Sequence, residues 1–160
     1  MKLSDFMVSD ALVPALTSES RNGAIAELVQ SLAQAGKVDS SQVDDIVEKL
    51  IDREQQGSTG IGKGIAVPHI KHDSIKSIVG TIGCSSQGVE FASLDKAPVY
   101  SILLLLSPPN NPDLHLEAME TLFAHLQQDM FRKFLRQAET REQIADLIEE
   151  ADDPTNENGL

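Results

Sequence analysis

Apolar residues first repeat at helical spacing over residues 24–35, where Ile25, Leu28, Val29 and Leu32 share one side and Gly36 supplies a stop. The period returns over residues 41–54 in Val43, Ile46, Val47, Leu50 and Ile51, with Ser41 and Asp44 at the spacing of a capping box. It then lapses. Residues 56–64 are rich in glycine and read as a loop, followed by the short apolar run Ile65-Ala66-Val67-Pro68. Residues 75–85 carry the residue types of a strand, and residues 89–91 those of a short edge strand. Residues 99–106 are apolar on both faces, which predicts a strand at the centre of a sheet.

Prolines end that strand, and Asn111 and Pro112 suit the N-cap and first position of a new helix, continued by Leu116, Met119, Leu122, Phe123 and Leu126. Shorter helices are predicted over residues 130–137 and 140–150, the second opened by a Thr140–Gln143 capping box. Residues 152–160 are polar and are expected to form a flexible tail. The pattern predicts one α/β domain over residues 1–151, with a sheet of about four to six strands covered by helices.

Composition adds exclusions. Acidic residues outnumber basic ones 25 to 13, so the formal charge is −12, which argues against broad nucleic-acid binding and permits a basic partner. The longest apolar run is far short of the roughly 20 residues a membrane span needs, so no membrane insertion is expected. The N-terminus leads into no sustained apolar region, so no secretory signal is expected either. A single cysteine, Cys84, has no partner for an internal disulfide and reads as a buried thiol in a reducing, cytoplasmic setting.

The run Gly57-Ser58-Thr59-Gly60-Ile61-Gly62-Lys63-Gly64 nearly spells a nucleotide-binding P-loop, but Gly64 stands where a magnesium-holding hydroxyl belongs. Pro68 would also end any helix begun at Lys63. A dinucleotide fingerprint fails at Ile65, where its third glycine should fall. The glycines can instead let backbone amides approach a small anion with Lys63 nearby, or simply form a tight loop; both readings stand.

Of four histidines, His69 follows this segment, and a largely neutral imidazole there can attack a phosphoryl donor. His115 lies in the first turn of the helix after the prolines, where the positive helix end favours its neutral form. His72 is three residues from His69, yet no third ligand at recognisable spacing completes a metal site. His125 reads as a partly buried or surface residue of the same helix as Phe123.

The string from Arg53-Glu54 through Thr59-Gly60-Ile61-Gly62, Gly64-Ile65-Ala66 and Pro68-His69 resembles the signature of phosphotransferase-system IIA domains of the fructose/mannitol/nitrogen-regulatory type. The opening Lys2-Leu3-Ser4-Asp5-Phe6 resembles the nitrogen-regulatory branch. Leu103-Leu104-Leu105-Leu106-Ser107-Pro108, then His115-Leu116-Glu117, resemble the strand and helix bearing the family's second histidine. The resemblance implies an α/β single domain, a mixed β-sheet flanked by helices on both sides. It implies that His69 takes phosphate from HPr or its nitrogen-system counterpart, that His115 is the second active-site histidine, and that Arg53 assists. Thr59, Gly60 and Lys63 are the candidates for phosphate binding, and Lys63 with Lys71 is expected to make the mouth of the site positive. No metal, nucleotide or other cofactor is implied. Onward transfer to a cysteine of a IIB domain for sugar uptake and a purely regulatory role both remain open, with regulation favoured because no fused IIB or membrane domain is expected in this chain. Many relatives carry glycine after the Pro-His pair, whereas here Ile70-Lys71-His72 follows.

Overall fold

A computed structural model describes residues 1–155. Helices α1 (Arg21–Gln34) and α2 (Val43–Gln56) come first, then strands β1 (Gly60–Gly62), β2 (Ile65–Ala66), β3 (His69–Lys71), β4 (Val79–Val89) and β5 (Val99–Ser107). Helices α3 (Pro112–Leu126), α4 (Asp129–Gln137) and α5 (Arg141–Asp152) complete the order.

The sheet is mixed and organised on β5. β2 and β3 both pair with it in parallel, one after the other along the same edge, and β4 pairs antiparallel along the opposite edge. Alternate side chains of β5 serve two cores, as the two-residue repeat of a strand requires. Leu103 and Leu105 pack with buried residues of α3, α4 and α5, while Ile102, Leu104 and Leu106 pack with α1 and α2. Helices therefore cover both faces, and the doubly apolar run of β5 is its cause. The free edge of β4 is covered by the N-terminal segment: the Val8, Val13 and Leu16 amides donate to Gly80, Ile82 and Cys84 carbonyls at 2.8–2.9 Å. Such cover removes an edge that would otherwise pair with other chains. Cys84 is buried here, which pushes its thiol up to about 11.

Local chemistry sets the element ends. The Asn111 side chain accepts from the Leu114 amide with Pro112 at the first helical position, and Thr140 and Gln143 form the expected capping box. The Ser41–Asp44 box does not form. Asp39 instead accepts from the Ser41 amide and opens a short 3-10 turn ahead of α2. Helix α1 begins earlier than the apolar pattern suggests, because Ser20 caps it by accepting from Gly23. Ile75 lies in a turn and the strand starts at Val79; residues 90–91 leave the ladder after Val89, although Phe91 stays buried. The tail expected from residue 152 starts later, since Asp152 belongs to α5 and its carboxylate accepts from the Leu3 and Ser4 amides at 2.7 and 3.0 Å. Residues 156–160 lie outside the described part of the chain.

The glycine-rich segment is a hairpin rather than a loop. β1 and β2 pair antiparallel around Lys63 and Gly64, whose φ angles of 57° and 76° suit a type I′ turn. Gly60 is required for space: a Cβ there would stand 2.2 Å from Ser93 Oγ and 2.9 Å from Ser93 Cβ. Gly60→Ala should destabilise the domain by about 1–3 kcal/mol in urea unfolding, with Ser93→Gly in the same chain recovering part of the loss, since the Ser93 Cα would still stand 3.0 Å away. An unchanged midpoint would contradict this account of the segment.

Candidate active site

Pro68 shapes the site by what it lacks. Without an N–H it interrupts the pairing that β2 begins and β3 resumes, although its carbonyl still accepts from the Leu105 amide at 3.0 Å. His69 emerges from this break opposite Leu105, beside the point where the chain leaves β5 at Ser107. Its Nδ1 lies 2.7 Å from the Val67 carbonyl oxygen. A carbonyl only accepts, so Nδ1 carries the hydrogen and Nε2 keeps the lone pair. The ring is half-buried and open to an incoming group.

His115, in the first turn of α3, faces it. The two ring centroids are 5.7 Å apart with the planes tilted by 38°. Nδ1 of His115 is 2.5 Å from the Ser107 hydroxyl. Burial lowers the pKa of this ring below the ordinary histidine value, and the nearby His69 and Lys71 add to the effect. The direction agrees with the expectation from the helix end, but burial is the leading cause. Lys71, exposed at the end of β3, lies near enough for its charge to act on the His115 ring.

The remaining candidates divide. Arg53, in the last turn of α2, folds back so that a guanidinium N–H donates to the Gly57 carbonyl at 2.8 Å. Thr59 is buried and committed to Glu54: its amide donates to one carboxylate oxygen at 3.0 Å and its hydroxyl to the other. The Thr59 carbonyl accepts from Val67, the residue whose own carbonyl holds His69. The Gly60 amide is taken by the Ser58 hydroxyl at 3.0 Å. Lys63 sits at the hairpin tip, its amide donating to Asp95. Ile65 pairs with Ser101 and His69 with Leu105, so even Ile65 is about 13 Å along the strand from His69, and Lys63 lies beyond it. The structure thus brings His69, His115 and Lys71 together, places Thr59 behind them, and sets Lys63 at the other end of the sheet. The amide and hydroxyl of Thr59 and the amide of Gly60 are taken by protein partners, and the Thr59 carbonyl holds the Val67 amide.

Three further side chains, Glu54, Ser107 and His72, hold the site together. Glu54 is only 3% exposed and continues the inward stripe of Ile46 and Leu50 at four-residue spacing, so a carboxylate on an apolar face was the signal available. Ser107 gave no signal before the strand's end was placed. His72, considered as a metal ligand, is buried between Asp45 and Ser74. His125 lies against Phe131, with ring centroids 5.6 Å apart.

Residues 6–151 match the family model described as phosphoenolpyruvate-dependent sugar phosphotransferase system, EIIA 2. The chain belongs to this family. It is 33% identical over 152 residues to the fructose-specific EIIABC component of the phosphotransferase system in Bacillus subtilis, covering 95% of this chain and 24% of that relative. This chain therefore spans about a quarter of that protein. It is 29% identical over 148 residues to a nitrogen regulatory protein of Bradyrhizobium diazoefficiens, covering 92% of this chain and 95% of the relative. The nitrogen regulatory protein IIA-Ntr of Neisseria meningitidis superposes with a TM-score of 0.81 at 27% identity, covering 91% of this chain and 98% of that one. As a IIA domain, this chain is a phosphoryl-transfer component of the phosphotransferase system. Among the described residues, no helix is long and apolar enough to cross a membrane.

The electrostatics of the ring pair predict a pH response. A lowered folded-state pKa at His115 means that the unfolded chain takes up the proton first as pH falls. The ring's share of stability is therefore lost as pH drops through the ordinary histidine value of 6.5 toward its lower folded value. Titration by imidazole NMR should place the His115 midpoint below 6.5 and move it upward in Lys71→Ala; a midpoint at or above 6.5 would contradict the assignment.

Proposed function

We propose that His69 is the phosphoacceptor and that the new bond forms at Nε2. The supporting observation is the hydrogen bond from Nδ1 to the Val67 carbonyl, which leaves Nε2 with its lone pair beside His115. In this reading an HPr-type carrier, or its nitrogen-system counterpart, presents a phosphohistidine in the cytoplasm. The Nε2 lone pair of His69 attacks phosphorus, the donor's N–P bond breaks, and the donor imidazole leaves with its electron pair. The phosphorylated ring of His69 keeps its Nδ1–H, and the positive charge that the ring acquires is held against the Val67 carbonyl. Ser107 donates its hydroxyl hydrogen to Nδ1 of His115, which leaves Nε2–H of His115 to donate to a phosphoryl oxygen. Burial keeps that ring neutral and so able to hold this tautomer. Arg53 contributes positive charge from the end of α2, where Gly57 holds its guanidinium.

The role proposed is regulatory, with the phosphorylation state of His69 deciding which partner proteins bind. Likeness to nitrogen regulatory proteins over nearly their whole length supports it. Transport has its own support in the 33% identity to the fructose-specific EIIABC component, and it requires a cysteine thiolate of a IIB domain to take the phosphoryl group from His69.

Phosphate supplied from phosphoenolpyruvate through enzyme I and HPr-type carriers should label the wild type with acid-labile, base-stable phosphate. His69→Ala should abolish the label, and His115→Ala should slow it on the order of 100-fold. Undiminished labelling of His69→Ala would overturn the assignment. Chase of the label onto a IIB cysteine separates transport from regulation.

A further inference from the structure

His72 takes no part in the transfer chemistry above, yet it is tied to the elements that place both rings. Its side chain is buried, and both ring nitrogens are engaged. Nδ1 lies 3.1 Å from the Ser74 amide and 2.7 Å from the Ser74 hydroxyl. A backbone amide only donates, so Nδ1 holds the lone pair and Nε2 carries the hydrogen, directed at Asp45 Oδ2 2.6 Å away. Lys49 lies 2.7 Å from the same oxygen, and with His72 it holds the Asp45 carboxyl below its ordinary value, which keeps the acceptor ionised. The main chain of His72 is equally committed. Its amide donates to the Ser107 carbonyl at 2.9 Å, and its carbonyl accepts from the Ile75 amide at 3.1 Å.

One residue therefore joins α2, the end of β5 and the turn that leaves β3. Ser107 holds His72 through its carbonyl and His115 through its hydroxyl. His69 begins the three-residue strand β3, and His72 follows its last residue, Lys71. Among the described residues β3 pairs with β5 alone, so three residues of ladder must aim the ring of His69. A short strand at a sheet edge is weakly held by its ladder, and a side-chain clamp at its exit limits how far it can slide or twist.

We propose that His72 is a positioning residue for phosphoryl transfer: clamped between Asp45 and Ser74, it fixes the exit of β3 against α2 and so sets the approach of His69 to His115. Its kinetic consequence rests on the phosphotransfer reading above; the placement of the rings does not. The clamp uses Nδ1 as acceptor and Nε2 as donor, and two substitutions each preserve half of it. In His72→Asn the amide oxygen can stand in for Nδ1 toward Ser74, while the donor to Asp45 is lost. In His72→Gln the amide nitrogen can reach Asp45, while the Ser74 amide loses its acceptor.

Both variants should fold and lower kcat for labelling on the order of 10- to 100-fold, because misplacement of a reacting group by about 1 Å costs that much. KM for the phosphocarrier should stay unchanged, since the docking surface is intact. Ile144→Val, on the buried face of α5, serves as a control that lowers stability without touching the clamp; it should leave kcat unchanged. Imidazole nitrogen–proton correlation spectra provide a second readout. In wild type, His69 should show one fixed Nδ1–H tautomer. In His72→Asn and His72→Gln that signal should average between tautomers, and the His115 ring signals should move. Wild-type kcat together with unmoved His69 and His115 signals in both variants would overturn the proposal. A wild type that no carrier labels would overturn the phosphotransfer reading instead, and the spectra would still decide whether His72 places the two rings.

Discussion

The hydrogen bond between His69 Nδ1 and the carbonyl of Val67 is the contact on which the site depends. It selects one tautomer of a ring that otherwise exchanges between two, and it points the remaining lone pair outward. Holding that carbonyl in place takes much of the local structure. The Val67 amide is bound to the Thr59 carbonyl, Thr59 is bound to the buried carboxylate of Glu54, and Glu54 is carried by α2. Pro68 then ends the pairing of β2 so that Val67 can turn its carbonyl back toward the side chain two residues ahead. The hairpin of β1 and β2 is thus a bracket for one backbone oxygen.

A second set of contacts brings the other ring to the same place. The apolar run of β5 fixes the strand between two cores, its end at Ser107 meets α3, and the Asn111 cap with Pro112 starts that helix so that His115 falls in its first turn. Two surfaces of very different origin, a strand break and a helix start, meet at 5.7 Å. Both rings remain half-buried at the protein surface. That suits a group passed between proteins, in which the partner supplies the rest of the enclosure.

Much of this was legible in the chain. Helical spacing located α1 to α5, and the double-sided apolar character of residues 99–106 identified the central strand, because burial on both faces leaves a visible mark on sequence. The histidine pair was legible only through resemblance, since a lone imidazole carries no periodic signal. What escaped were contacts set by register. Glycine count suggested an anion cradle in residues 57–64, whereas the amide of Gly60 goes to Ser58 and its missing side chain makes room for Ser93, a residue 33 positions away. Lys63 looked close to His69 along the chain, but a hairpin reverses direction and carries it to the far end of the sheet. The Ser41–Asp44 capping box failed because Asp39, two residues earlier, competes for the same amide. The partner of His72, Asp45, lies 27 residues before it and leaves no mark in the local sequence.

The central claim is that the Val67 carbonyl decides which nitrogen of His69 reacts. Nitrogen-15 NMR of the protein phosphorylated on uniformly labelled histidine tests it directly, because phosphorus coupling identifies the bonded nitrogen. The account predicts phosphorus at Nε2 of His69, with Nδ1 still protonated and hydrogen-bonded. Phosphorus at Nδ1, or on any other side chain, would contradict it.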